Sequence, residues 1–524
     1  MIILSTSAIR RSEEKEMARG ISDEELMERA GRGCAERILE AFPGKKRVLA
    51  LVGRGNNGGD GLVIARCLAL AGWDATVYLS TEREGLGALC AKKLGEWERQ
   101  GGQVAPFGSP PWAEVDLVLD ALLGIGMKGE LRGEMAQLVS SLNDERARRF
   151  FRTVAVDTPS GLWAGANAAS AAVVADLTLT VGYGKDFLFR EALSRFVGRI
   201  EIVPIFSGRE ECGGGAEAIV PEEVARWLPR RSAHCHKNQF GRVLLLGGSR
   251  GFTGAPAMAA SAAHRVGAGL VTLGVREEVY PVVAAHSRLE TMVFPISDES
   301  LLASNLSRAT VVAIGPGLGL DRAAEDLLAL LVEENRSPAV FDADALTLFA
   351  RNPGLLDRLR FPAVLTPHPG EMSRLLGRKI RDEEREEAAR EFVERTPATL
   401  VLKGTRTLVV RKGESFWYNT TGNPGLAAGG SGDILLGILA GLIGQGIPPW
   451  EAAKLGVWLH GRAADLLLQA REVEEGILAT EVVESLAGAI RSFRAAACRA
   501  LREREEWSAG NLAVAPTTSR APSP

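Results

Sequence analysis

Charge of one sign is what this sequence most plainly lacks. Lys and Arg number 62 against 65 Asp and Glu, for a net charge of −3 at pH 7. Nothing in that balance points to a nucleic acid or an acidic membrane surface as partner. Paired cysteines are missing too. Cys34, Cys67, Cys90, Cys212, Cys235 and Cys498 form no CxxC, and a chain this long without a secretory signal is not expected to carry a disulfide framework. The opening MIILSTSAIRRSEEKEMARG turns charged too soon for a signal peptide. The longest apolar stretch, near Ile434 to Ile447, is short of a membrane span and broken by glycine. A reducing cytoplasm, with no membrane and no nucleic acid, is the expectation. No short tandem repeat is found. No lysine follows a glycine cluster at Walker A spacing, which argues against a P-loop.

What is present is glycine. The chain has 59 among 524 residues, gathered in short clusters after apolar runs, the pattern of α/β folds with many strand-to-helix turns. The length favours two or more domains, and 46% hydrophobic with 24% charged residues is ordinary for globular protein. RVLALVG, ATVYLS, VDLVLDALLG, RTVAVDTPSG and ADLTLTVGYG read as buried strands alternating with helical stretches, so a parallel, helix-covered sheet is predicted. SGREECGGGAEA, residues 207–218, is the best linker candidate. A second series runs from GRVLLLGGS through GLVTLGV, ATVVAIGPGLG, PAVFDADAL, PAVLTPHPGE and TLVLKGTRTLVV. Two α/β domains are therefore expected, over 1–212 and 216–490, with 491–524 a charged helix and then a disordered tail.

LVGRGNNGGDG contains a formal GxGxxG at Gly53, Gly55 and Gly58, after a strand and opening a helix. That is the context of a dinucleotide fingerprint. Yet Asn56 and Asn57 put amides in the turn, Asp60 adds a carboxylate where pyrophosphate would be repelled, and ATVYLS lacks the expected terminal acid. A ligand loop of another kind is favoured over a bare turn. Asp120 and Asp157 end two further strands, and Asn57, Asp120 and Ser160 could converge as oxygen ligands for a hard cation. Three unrelated helix caps are the alternative.

In the second half, GGSGDILLGILAGL places Asp433 in the first turn of a helix whose apolar residues at 434, 435, 438, 439 and 442 form a stripe. Backbone N–H groups of Gly430, Ser431 and Gly432 would favour an anion there, and Asp433 could take the proton from a hydroxyl attacking phosphate. GPGLG, DADAL with Asp342 and Asp344, TPHPGE with His368 and Glu371, and VLKGTRT with Lys403 are further candidates, each also readable as a turn or cap. His234, Cys235 and His236 are poorly spaced for zinc and read as a loop.

These residues carry a resemblance. GRGNNGGDGLVIARCLALAG, DLVLDALLGIGMKGELRG, VAVDTPSGL and ADLTLTVGYGK, in order within residues 1–210, look like the YjeF N-terminal family of NAD(P)H-hydrate epimerases. The resemblance implies a Rossmann-like three-layer fold that interconverts the R and S epimers of hydrated NADH and NADPH (NADHX and NADPHX). It implies that Asn56, Asn57, Gly58, Gly59 and Asp60, with Gly124, Ile125, Gly126, Met127, Lys128, Gly129 and Glu130, contact the hydrated nucleotide. Asp157 would bind it near the reacting centre, where it could shuttle a proton, and Asn57, Asp120 and Ser160 would hold a potassium ion. Ile125 departs from the family's more usual threonine.

NQFGRVLLLGGSRGFTGA, GAGLVTL, IGPGLG, DADAL, LTPHPGE, VLKGTRT and NPGLAAGGSGDILLGILAGL resemble the YjeF C-terminal family of ADP- or ATP-dependent NAD(P)H-hydrate dehydratases, over residues 216–490. This implies a ribokinase-like fold in which Ala255, Gly317, His368 and Asp433 contact the hydrated nucleotide. Lys403, Gly404, Thr405, Arg406, Thr407 and Gly432 would bind ADP, accompanied by Mg2+. Asp433 would activate the ring hydroxyl for phosphorylation. Asn238 and Gln239 depart from the more usual HKGDFG. Together the two resemblances imply a bifunctional repair enzyme, with a homo-oligomer as the expected assembly. A small-molecule kinase fused to a Rossmann module, or a non-catalytic nucleotide sensor, are the alternatives.

Overall fold

A computed structural model describes residues 1–44, 46–206, 215–228 and 230–508. Residues 207–214 of the expected linker, and the tail beyond 508, lie outside the described residues. The α/β class read from the sequence is the class observed, built on two sheets.

The first sheet has seven strands, in spatial order Gln103–Val104, Asp74–Leu79, Arg47–Val52, Leu117–Ala121, Arg152–Val156, Leu177–Val181 and Arg199–Val203. Every neighbouring pair is parallel. Its strands are apolar on both faces, as a doubly covered parallel sheet requires. Ala50 and Val52 pack with Ile38, Leu62 and Trp97 on one side. Leu49 and Leu51 pack with Val139, Leu142 and Phe151 on the other. Helices Asp23–Ala41 and Asn56–Leu70 supply the first face and Gly133–Arg149 the second, giving three layers.

The second sheet has twelve strands. Seven of them are parallel neighbours, from Met292–Pro295 at one edge through Leu270–Val275, Arg242–Leu246, Val311–Ile314, Ala339–Phe341 and Ala363–Leu365 to Thr399–Leu402. Leu408–Val410 and Phe416–Tyr418 follow as an antiparallel meander. Ala216–Ala218, Ile2–Leu4 and Gly184–Lys185 complete the sheet. Thus Ala216–Ala218, from the end of the expected linker, is a strand, and two short strands from the first 212 residues belong to the second sheet.

Period-two alternation is visible here too: Leu244 and Leu246 enter one core, Val243 and Leu245 the other. The helix Ser431–Gly444 lies in the second of these cores. Its apolar residues do not form the expected stripe, because every residue from Ile434 to Gly444 is buried. The helix is enclosed on all sides, and a Cβ at Gly437 would stand 2.1 Å from the Ala259 carbonyl oxygen of helix Gly254–Arg265. No helix among the described residues is long and apolar enough to cross a membrane.

Candidate functional site

Two sites form, each at the carboxyl end of a parallel sheet, where crevices open between strands and the helices that follow them.

In the first sheet, strand Arg47–Val52 turns through Gly53 into helix Asn56–Leu70, whose N-terminus at Gly55 is capped by no side chain. The turn is tight for a packing reason. A Cβ at Gly53 would stand 1.8 Å from the Leu122 carbonyl oxygen, and one at Gly58 would stand 1.9 Å from that of Gly53. Gly59 meets the Met27 side chain in the same way, at 2.4 Å. Asp60 lies inside the helix and not at its cap. Burial, and then the nearby Asp157, push its pKa far up.

Asp157 follows strand Arg152–Val156 with φ at 67°, a left-handed conformation rare outside glycine. That twist aims its carboxylate into the crevice. One oxygen accepts the Ile125 N–H at 3.2 Å and the other is ion-paired with the buried Lys185, whose ammonium also donates to the Val181 carbonyl at 2.7 Å. Gly124 keeps the loop close, since a Cβ there would lie 3.2 Å from the Asp157 carboxylate and 3.4 Å from Asn57. In the loop that follows, Gly126, Lys128 and Glu130 are exposed, Met127 and Gly129 are half-buried, and Ile125 packs against a small apolar cluster. Asn56 is exposed at the helix start.

Asn57, Asp120 and Ser160 gather beside that loop. Asp120 is fully buried, and its oxygens accept the Ser160 N–H at 2.8 Å and the Ser160 hydroxyl at 2.6 Å. The Ser160 hydroxyl oxygen in turn accepts the Leu123 N–H at 2.9 Å. Burial raises the Asp120 pKa to about 6, with the serine bonds opposing. Asn57 is buried, and neither atom of its side-chain amide has a hydrogen-bond partner. A buried amide left unpaired is costly, and a ligand or ion that it faces would relieve the cost.

The second site is built where four segments of the other unit meet. Strand Ala339–Phe341 delivers Asp342, strand Ala363–Leu365 leads to His368, strand Thr399–Leu402 to Lys403, and helix Ser431–Gly444 begins beside them. Lys403 pairs with Asp342 at 2.7 Å and stands 3.8 Å from Glu371. Burial works against the charge on Lys403, but Asp342 and Glu371 more than offset it, so its pKa ends above the ordinary lysine value. Gly432 sits against this pair: a Cβ there would be 3.3 Å from both the Asp342 carboxylate and the Lys403 ammonium. Gly430 enters the helix at φ 90°, and no side chain caps its N-terminus, leaving an open anion-binding end. In the first turn, burial and then Asp342 raise the Asp433 pKa to about 7, with Lys403 opposing.

His368 caps helix Pro369–Leu376: its Nδ1 accepts the Gly370 N–H at 3.0 Å, which places the proton of the neutral ring on Nε2. Burial and Lys403 lower its pKa. Gly317, at φ 59°, lies under Phe252, and a Cβ there would stand 2.5 Å from that residue's Cβ. Ala255 lies in the first turn of helix Gly254–Arg265, and Phe252 is 61% exposed.

A cavity of about 990 Å³ opens from this second site toward the first unit. His368, Lys403, Gly404, Thr405, Arg406, Thr407 and Gly432 line one side, while Lys46, Arg149, Arg152 and Arg199 line the other. The latter lie at or near the amino ends of the first sheet's strands. Asp157 and Asn57 sit at the opposite ends and do not line it. Within the lining, Arg406 is buried and its guanidinium donates to the Gly198 carbonyl.

Several participants escaped the sequence reading. Lys185 closes the motif ADLTLTVGYGK, and a lysine ending an otherwise apolar pair of strands was the available signal. His460, which meets the Ser431 hydroxyl at 3.3 Å, carried none, being one residue in the long helix Pro449–Arg471. Burial, then Lys403, lowers its pKa to about 4, so it stands neutral.

Two families match this chain: the YjeF-related protein N-terminus over residues 23–186 and the NAD(P)H-hydrate dehydratase family over 243–487. The bifunctional NAD(P)H-hydrate repair enzyme Nnr of Coxiella burnetii is 36% identical over 494 residues, covering 93% of this chain and 98% of that one. The enzyme of the same name from Moorella thermoacetica is 38% identical, covering 89% and 92%. A solved ribokinase-like superfamily protein from Enterococcus faecalis is 30% identical, covering 55% of this chain and 99% of that one, with a TM-score of 0.49. With both family matches in order and relatives this similar over nearly their whole length, the chain belongs to the family of bifunctional NAD(P)H-hydrate repair enzymes.

Proposed function

We propose that the two sites act in series on hydrated nicotinamide nucleotides. The first exchanges the R and S epimers of NADHX and NADPHX. The second dehydrates the S epimer to NADH or NADPH while ADP is converted to AMP and phosphate. The observation that carries the reading is the cluster at the start of helix Ser431–Gly444, where a base of pKa about 7 stands beside an uncapped helix N-terminus and a lysine.

At that cluster Asp433 takes the proton of the ring hydroxyl as its oxygen attacks the terminal phosphorus of ADP, with AMP as the leaving group. Lys403 and the helix N-terminus carry the charge that develops on the phosphoryl oxygens. The new phosphate ester then departs from the ring carbon, the adjacent carbon gives up a proton, and the dihydronicotinamide double bond is restored. His368 and Gly317 would hold the hydrated ring, and the loop from Lys403 to Thr407 would hold the adenine nucleotide. Mg2+ would accompany the nucleotide's own phosphates at this loop.

At the first site Asp157 carries the proton of the ring hydroxyl to the ring nitrogen as the bond between that nitrogen and the hydroxyl-bearing carbon breaks to an aldehyde, and back as the bond re-forms on the other face, while its ion pair with Lys185 holds the carboxylate in place. A potassium ion fits the oxygen donors Asn57, Asp120 and Ser160, and the unpaired amide of Asn57 supports it. Bound there, the ion would fix the loop after Asp120.

The test is absorbance of regenerated NADH from NADHX with ADP and, separately, ATP. Reappearing NADH supports the reading. Its absence under both nucleotides overturns it, and a stable phosphorylated product would favour a kinase instead.

A further inference from the structure

The loop expected to bind the adenine nucleotide is held in place by the other catalytic unit. Gly404 lies against Arg385 so closely that a Cβ would be 2.5 Å from its guanidinium. That guanidinium is buried and donates to the carbonyls of Leu402, Lys403 and Arg406, at 3.3 to 3.4 Å. Those bonds come from Nη2, and Nη1 is ion-paired with Glu191, a residue of the first unit 194 positions away. The second Glu191 oxygen accepts the Thr405 N–H at 3.3 Å. The Arg406 side chain reaches across to the Gly198 carbonyl. Three of the five loop residues thus take their positions from Glu191, Arg385 and Gly198.

We propose that Glu191 is a positioning residue for the dehydratase: through Arg385 and Thr405 it holds the loop from Lys403 to Thr407 in the conformation that receives an adenine nucleotide. This rests on the function proposed above. A guanidinium donating to one strand-end and two loop carbonyls needs a counter-charge when buried, and a carboxylate on its far side provides one. Without Glu191, Arg385 turns toward water, the loop loses its donors, and the cost of ordering it falls on the incoming nucleotide.

The test compares wild type with Glu191→Ala, Glu191→Gln and Glu191→Asp in the full chain. ADP binding is measured by calorimetry, KM for ADP and for NADHX by NADH absorbance, and R–S exchange in the same preparations. Expected for E191A is an increase of about tenfold in both the Kd and the KM for ADP, with KM for NADHX and R–S exchange unchanged. E191Q should fall between, because its amide oxygen still accepts from Thr405 but no longer neutralises Arg385, and E191D should recover part of the loss. Unchanged ADP affinity in both E191A and E191Q overturns the inference, as does an equal rise in both KM values or loss of R–S exchange. A wild type that makes no NADH under either nucleotide fails the parent reading instead, and the two failures are told apart by the wild-type lane.

Discussion

The role proposed for Asp433 as general base requires its ionised form, and that places dehydration under pH control. With its pKa raised to about 7, the carboxylate is present above that pH and lost below it. Dehydration should therefore fall on the acid side with an apparent pKa near 7, read from kcat/KM against pH. Asp342 is the second cause of the elevation and also the partner of Lys403. Asp342→Asn should shift the acid limb to lower pH, since the repulsion is removed and the lysine freed, whatever it does to the maximum. Asp433→Asn should abolish dehydration by about 100-fold or more while R–S exchange continues. Loss of both activities together would count against two independent sites. Lys185→Met is the mirror experiment. It leaves Asp157 without its charge partner, so R–S exchange should drop by about 100-fold while dehydration of the pure S epimer persists.

At the scale of elements, the strand–turn–helix alternation was legible because apolar runs, glycine clusters and helical spacing are local. Gly53 and Gly58 were read as part of a ligand loop, but the structure gives each a packing reason as well. Gly58→Ala should cost more than about 2 kcal/mol in chemical denaturation, because a Cβ 1.9 Å from a carbonyl oxygen forces the turn open. Gly95→Ala offers the opposite sign. It lies within helix Ala88–Arg99 with nothing within 4 Å of its would-be Cβ, and should gain about 0.5–1 kcal/mol. What the sequence could not show was proximity across crossovers. Lys403 and Asp342 are 61 positions apart, and Asp157 and Lys185 are 28 apart. Neither pair shares a periodic segment, so only the order of strands in the sheet brings them together. The same applies to the enclosed helix Ser431–Gly444. Its stripe positions were apolar as read, but what covers the remaining faces depends on neighbours that the local pattern does not name.

The whole molecule is more tightly joined than a chain of two independent domains. The strand Ile2–Leu4 lies between Ala216–Ala218 and Gly184–Lys185 in the second sheet, and the N-terminal ammonium donates to the Ala218 carbonyl at 2.7 Å. Arg385 and Arg406, both buried in the second unit, have acceptors in the first. Lys46 pairs with Glu472 at 3.0 Å, and Arg152 donates to the Glu472 carbonyl at 2.6 Å. Exposed pairs of the Lys46 kind contribute little; the buried arginines and the shared strand matter more. A chain of residues 215–508 alone would make Ala216–Ala218 an edge strand, unpaired on one side, and would strip Arg385 and Arg406 of their acceptors Glu191 and Gly198. Both groups would then face water, so the loss is that of their hydrogen bonds and of the strand pairing, about 1 kcal/mol for each bond. The full chain should therefore melt in one calorimetric transition, and the fragment about 10 °C lower. Adding residues 1–206 in trans should recover part of that difference if the shared strand and the acceptors at Glu191 and Gly198 reassemble. A fragment that melts at the temperature of the full chain would show that the units stand independently. The cavity between them would then be a product of tethering and not of a built interface.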